Sequence, residues 1–290
     1  MTYKSIFLPL AFQQTTAEVT DFALTLAAAF NAHLLAHHVR QLHDFYPPAD
    51  FYPADDGAIA KIMSDHDEAT AAMAQSIKTV FEARCETAKA SIVPEAEALK
   101  QNGVTASWRQ EIGYPAQSYG LAARTSDLVI MAMPDAKKNS LERDVFEAIL
   151  FQSGAPVLLI PRSGLDKVPQ RPLVAWDGSL QASRSVRAAL PLLAPSTTTT
   201  LLTVGETDTE TPPIDVTKLW LERCGVTVAE KAVDWPHGPV AERILNQCEA
   251  TNSDLIVMGG YSHSRLRESV IGGVTRDILH HGKYPLLMVH

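Results

Sequence analysis

Ser126-Asp-Leu-Val-Ile-Met131 recurs as Ser253-Asp-Leu-Ile-Val-Met258, and Ala155-Pro-Val-Leu-Leu-Ile160 recurs as Tyr284-Pro-Leu-Leu-Met-Val289. The gap between the two blocks is nearly the same in both copies. Upstream, Gly103-Val-Thr answers to Gly225-Val-Thr, Tyr114-Pro115-Ala116 to Gly238-Pro239-Val240, and Ser5-Ile-Phe-Leu-Pro-Leu10 to Pro172-Leu-Val-Ala-Trp-Asp177. So long a period marks a duplicated domain rather than a solenoid. The join, Pro161-Arg-Ser-Gly-Leu-Asp-Lys-Val-Pro169, is polar and turn-prone. It places the boundary near residue 167, giving domains 1–167 and 168–290. A chain of 290 residues suits two domains of roughly 100–200 residues each.

Each half reads as strands alternating with helices. In the second, Leu173–Trp176 is a short apolar run of the kind a strand buried on both faces requires. Gln181–Leu193 has apolar residues at helical spacing, and Thr198–Val204 is β-branched and strand-like. A helix over Pro213–Cys224 is stopped by Gly225. Then follow a strand at Thr227–Val233, a helix at Val240–Ala250, a strand at Asp254–Met258, a helix at Val274–His281 and a strand at Pro285–Val289. The first half repeats the plan, with its second strand at His33–Val39 and a long helix from about Ile59 to Ala90. Between these lies a loop with the echo Asp44-Phe-Tyr-Pro47 and Asp50-Phe-Tyr-Pro53, read as a lid, an interface pad or a surface excursion. Alternation of this kind implies a parallel sheet with helices on both faces; the fold expected is α/β, two doubly wound five-stranded parallel-sheet domains of order 3-2-1-4-5.

Composition narrows the function. Lys plus Arg number 25 against 33 Asp plus Glu, a net charge of −8, which disfavours general binding to phosphate backbones. No apolar run reaches the ~18 residues of a membrane span. The longest candidate, Ala23 to Ala36, is broken by Thr25, Asn31 and His33. Met1-Thr-Tyr-Lys-Ser lacks the pattern of a secretory signal. The cysteines, Cys85, Cys224 and Cys248, form no C-x-x-C pair. The expectation is a cytoplasmic protein with no thiolate zinc site.

The segment carrying chemistry runs from Gly259-Gly260 through Tyr-Ser-His-Ser-Arg265-Leu-Arg267 to Gly272-Gly273-Val274-Thr275. It starts where a strand stops and ends where a helix opens. Glycines at both points let backbone amides approach a bound group, and a helix's first turn favours phosphate. Arg265 and Arg267 could add charge-assisted contacts. In order 3-2-1-4-5, the first and fourth strands flank the switch-point crevice. The loop after the first holds Asp177-Gly178-Ser179, a carboxylate suited to ribose or base. The loop after the fourth holds Gly259–Ser264, amides suited to phosphates. A nucleotide matches that pair.

The joint pattern resembles the universal stress protein family in its tandem form, and covers nearly the whole chain, Val174-Ala-Trp-Asp-Gly-Ser179 included. That family's motif is G-x2-G-x9-G-(S/T). Gly259 and Gly272 fit its first and third glycines, while Ser262 replaces the second and Gly273 the final Ser/Thr. The resemblance implies an adenine nucleotide alpha hydrolase-like fold and a site for ATP or ADP, with or without Mg2+, in the second half. By position, Asp177 and the backbone near Val204 would address the nucleoside. Met258, Gly259, Gly272, Gly273 and Val274 would address ribose and phosphates, with Ser262, His263 and Arg265 in the same loop. The first half has lost the motif: from Met131 there is no glycine until Gly154, and its first strand ends Leu10-Ala-Phe12 without an aspartate. This half is expected not to bind ATP in that way.

Other signals are weaker. His33, His37, His38 and His43 cluster in sequence, but His37 and His38 would point to opposite faces of a strand, and no metal pattern is completed. No nucleophile elbow, P-loop lysine or H-E-x-x-H occurs, so no catalytic residue is assigned and fast phosphoryl transfer is not expected. Trp176 and Trp235 read as packing residues. The terminal strands Val157–Ile160 and Leu286–Val289 are apolar sheet edges that invite pairing, within the chain as a pseudo-dimer or between chains as a homodimer. Three readings follow. The first is a nucleotide-responsive regulatory or stress-response module acting on an unknown protein partner, with neither nucleic acid nor membrane as partner. The others are a slow ATP hydrolase and a scaffold for another small ligand.

Overall fold

A computed structural model of the chain describes residues 2–42, 56–100, 103–135, 140–205, 213–234, 238–260 and 273–290. The first half runs β1 (Ser5–Pro9), α1 (Thr16–Phe30), β2 (His33–Gln41), α2 (Asp56–Thr87), β3 (Ser91–Ile92), α3 (Glu95–Ala98), β4 (Thr105–Gly113), α4 (Pro115–Ala122), β5 (Leu128–Ala132), α5 (Ser140–Gln152) and β6 (Val157–Ile160). The second runs β7 (Pro172–Ala175), α6 (Leu180–Leu193), β8 (Thr199–Val204), α7 (Ile214–Arg223), β9 (Val228–Val233), α8 (Val240–Ala250), β10 (Leu255–Gly259), α9 (Gly273–His281) and β11 (Leu286–Val289).

The strands form one 11-stranded sheet in the order β3-β4-β2-β1-β5-β6-β11-β10-β7-β8-β9. Each half therefore has the doubly wound 3-2-1-4-5 order, the first with the two-residue β3 added outside β4. All pairings are parallel except β6 with β11, which is antiparallel through Leu286↔Leu159, Leu287↔Leu158 and Met288↔Val157. The two apolar edges thus satisfy each other within the chain, which removes an exposed template for association.

Successive strand residues face opposite sides. Ile6, Leu8, Leu34, Val174 and Leu201 pack in one core with residues of α1, α2, α6 and α7. Phe7, Val129, Leu173 and Ile256 pack in the other with residues of α4, α5, α8 and α9. Burial on both faces is why these strands read as continuous apolar runs rather than as alternating ones.

The repeated Ser-Asp-Leu motif has a shared structural task. The Asp127 carboxylate accepts the amides of Lys4 and Ser5 at 2.7 and 2.9 Å. The Asp254 carboxylate accepts those of Gln170 and Arg171 at 2.8 and 2.7 Å. Each aspartate's own amide returns to the opposite carbonyl, Asp127 to Ser5 and Asp254 to Arg171. These clamps equate Ser5 with Arg171, and the sheet register agrees: Ile6 lies beside Leu128, and Pro172 beside Leu255. The sequence alignment of Ser5–Leu10 with Pro172–Asp177 is therefore one residue out. Leu10 corresponds to Trp176, and Ala11 to Asp177.

Among the described residues, no helix is long and apolar enough to cross a membrane.

Candidate functional site

The carboxyl ends of β7 and β10 lie side by side, with Met258 in register with Ala175. The helices that follow them lie on opposite faces of the sheet, α6 on one and α9 on the other, as at a switch-point crevice. Asp177 is exposed at the end of β7. One of its carboxylate oxygens accepts the amide of Ser179 at 3.0 Å, and Gly178 between them has φ 75°. The Ser179 hydroxyl then caps α6 by accepting the amide of Ala182 at 3.1 Å. The Asp-Gly-Ser run is thus a turn and helix cap that leaves the aspartate at the rim of the crevice.

Gly259 closes β10 opposite Val289 and is packed from the other side. A Cβ there would lie 2.6 Å from the Ala182 amide nitrogen and 2.9 Å from the Gln181 carbonyl carbon. The first turn of α6 fills the space, so this glycine permits helix-on-strand packing rather than the approach of a ligand. Gly260 donates its amide to the Val289 carbonyl at 2.9 Å and has the Leu150 side chain of α5 within 3.6 Å of its missing Cβ. Gly273, the first described residue of α9, differs: among the described residues nothing lies within 4 Å of where its Cβ would be.

Val204 ends β8 beside Val233, and Gly205 donates its amide to the Val233 carbonyl. Alternation along the parallel ladder then aims the Val204 amide the other way, toward the space past Ala175. Met258 is buried, and Val274 packs partly buried against the core that includes Ile278 and Met288. Trp176 is 6% exposed, and its indole N–H is buried with no partner among the described residues. The structure therefore gathers Asp177, Val204, Met258 and Gly259 at the strand ends. Ser262, His263, Arg265, Arg267 and Gly272 lie outside the described residues, as do His43, the Asp44–Pro53 echo and Trp235.

The other three histidines of the sequence cluster, His33, His37 and His38, make internal contacts. His38 donates its Nδ1–H to the Leu10 carbonyl, 2.7 Å away, and stacks on Trp108. His37, on the opposite face, lies edge-on to Phe7 and Tyr119 with neither ring nitrogen hydrogen-bonded among the described residues, and Glu111 is 3.8 Å away. Burial pushes its pKa down to about 4; Glu111 works against that shift, and Arg109 and His38 reinforce it. His33 sits between the Thr105 and Ser107 hydroxyls at 2.8 and 2.9 Å.

The amino-terminal crevice is arranged otherwise. Sequence reasoning missed its residues, Tyr119, Glu142 and Arg162. The Tyr119 hydroxyl oxygen accepts the Val39 amide at 3.0 Å. Glu142 Oε2 accepts the Asp135 amide at 2.6 Å and the Arg162 guanidinium at 2.8 Å. The signal was the glycine-free stretch after Met131, which marks a loop rebuilt from side chains.

Residues 170–290 match the model of the universal stress protein family. No curated protein matches the chain. Among solved structures, a universal stress protein from Archaeoglobus fulgidus DSM 4304 is similar over 98% of this chain and 94% of its own, at 19% identity and a TM-score of 0.58. A functionally unknown protein from Pseudomonas aeruginosa PAO1 is similar over 99% of this chain and 92% of its own, at 13% identity and a TM-score of 0.55. At these identities the likeness establishes the fold alone, along the whole chain.

Proposed function

From a carboxy-terminal half, residues 170–290, that belongs to the universal stress protein family, we propose that the chain is a nucleotide-responsive binding module holding ATP or ADP between β7 and β10. The observation that carries the reading is the meeting of two chemistries at one switch point. Asp177 is exposed at the rim and the Val204 amide is aimed past the end of β7, which suits a nucleoside. The segment after Gly259 leads to the amides that open α9, which suits phosphates. Gly273, with no described residue near its Cβ position, is where a phosphate could approach the backbone closely. Mg2+ enters only as a companion of the phosphates.

The proposed response is a population shift. Nucleotide would favour one arrangement of the Gly259–Gly273 segment and so change a surface offered to a protein partner. The division at residue 167 makes the carboxy-terminal copy the working unit. Because β6 and β11 use their edges on each other, a homodimer would form through some other face. The setting proposed is the reducing cytoplasm, in keeping with the buried free thiols of Cys85 and Cys248, each pushed by burial up to about 12.

Calorimetric titration of the full chain with ATP tests the proposal. Binding that weakens at least tenfold in Asp177→Ala supports it, and equal affinity in that variant contradicts it. Phosphate release that persists with bound ATP and disappears in Asp177→Ala would move the reading to slow hydrolysis.

A further inference from the structure

The two copies leave the sheet in the same way. Met133 donates its amide to the Ile160 carbonyl at 2.8 Å, as Gly260 does to that of Val289 at 2.9 Å. Two residues on, the Asp135 amide, which aligns in sequence with that of Ser262, is taken by the Glu142 carboxylate at 2.6 Å. The same oxygen receives Arg162 from beyond β6, and the two side chains are 10% and 32% exposed. The Arg162 guanidinium also reaches the Met133 carbonyl at 3.4 Å.

Glu142 lies in the first turn of α5, which presents it to the Asp135 amide and to Arg162. A second closure sits on β2. The Val39 amide, counterpart of that of Val204, is held by the Tyr119 hydroxyl, whereas the α8 sequence VAERILNQCEA offers no tyrosine. Between Leu10, Phe12, Met131 and Glu142 a cavity of about 20 Å3 remains, room for a water but not for a nucleotide.

We infer that the amino-terminal crevice is a carboxylate-binding site whose permanent occupant is the carboxylate of Glu142. Arg162 and the Asp135 amide are its recognition groups, a guanidinium and a peptide N–H as used for any small carboxylate. Held by its own side chain, this half keeps the liganded arrangement with no ligand, a fixed partner for the half that responds. The inference holds whether or not the carboxy-terminal crevice takes a nucleotide.

Chemical rescue tests it with no nucleotide present. In the full chain, Glu142→Ala removes the occupant and leaves space for acetate. In chloride buffer this variant melts below the unaltered protein. In acetate of the same ionic strength it recovers most of that loss, while the unaltered protein does not respond. The double variant Glu142→Ala/Arg162→Ala is not rescued. An equal acetate response in the unaltered protein and the variant, or no response in the variant, overturns the inference. Should Glu142→Ala fail to fold in either buffer, hydrogen exchange at the Asp135 amide of the unaltered, ligand-free chain decides. Strong protection that added acetate does not change supports an internal occupant. Free exchange refutes it.

Discussion

The amide nitrogen of Ala182 stands 2.6 Å from where a Cβ on Gly259 would be. The end of β10 and the first turn of α6 are therefore in direct backbone contact, and the crevice between β7 and β10 owes its shape to that approach. Gly259→Ala forces the two apart. Overpacking of this kind costs about 1–3 kcal/mol. Urea unfolding is expected to show that loss, together with weakened ATP binding, because the displaced turn carries the Asp177–Ser179 rim.

Gly273 provides the opposite case. With no described residue within 4 Å of its Cβ position, Gly273→Ser should leave the melting temperature close to that of the unaltered chain. It would also restore the hydroxyl present in the motif that the segment resembles. Calorimetry is expected to show ATP affinity raised about tenfold or more, since one hydrogen bond to a charged group contributes about 1.5–3 kcal/mol net. Unchanged affinity would place the phosphates away from the start of α9.

The paired clamps make a symmetric prediction. Asp127 and Asp254 each accept two amides at the start of a first strand. Asp127→Ala and Asp254→Ala should each cost about 1–2 kcal/mol, discounted for exposure. Chemical denaturation of the two variants is the check. A large loss in one and none in the other would separate the roles of the two copies of the motif.

His37 sets an acid limb. Its folded pKa, held down to about 4 by burial, lies below the ordinary 6.5, so between these values the unfolded chain binds more protons than the folded one. Stability is then full above pH 6.5 and is lost as pH falls toward 4, by about 3 kcal/mol in all. His33 and His38 are also lowered by burial and add in the same direction. His37→Leu, the residue found at the corresponding Leu202, should flatten this limb and raise the melting temperature at pH 5. An unaltered pH profile would show that the His37 ring titrates normally.

Much of the fold was legible because a sheet buried on both faces writes its strands as apolar runs and its helices as periodic ones. Val240–Ala250 was read to the residue, and the 3-2-1-4-5 order in each half follows from the repeat. The same uniform burial hid the register. Ser5–Leu10 carries nothing that distinguishes one alignment from its neighbour, and only the bonds of Asp127 and Asp254 resolve it. The two-residue β3 is too short to leave a pattern. At the site, Asp177 and Gly259 were found from their places at strand ends, but the close packing that explains Gly259 depends on α6, distant in sequence. Tyr119, Glu142 and Arg162 went unseen because each acts through a contact with another segment. A search for what replaced the missing glycines after Met131 would have led to Glu142.

The central claim is that the copies differ: one crevice takes a nucleotide and the other is already filled. Isothermal titration of the full-length chain with ATP measures this directly as a stoichiometry. One ATP per chain, abolished by Gly272→Val and untouched by Glu142→Gln, is the predicted result. Two per chain, or one that survives Gly272→Val, would contradict it.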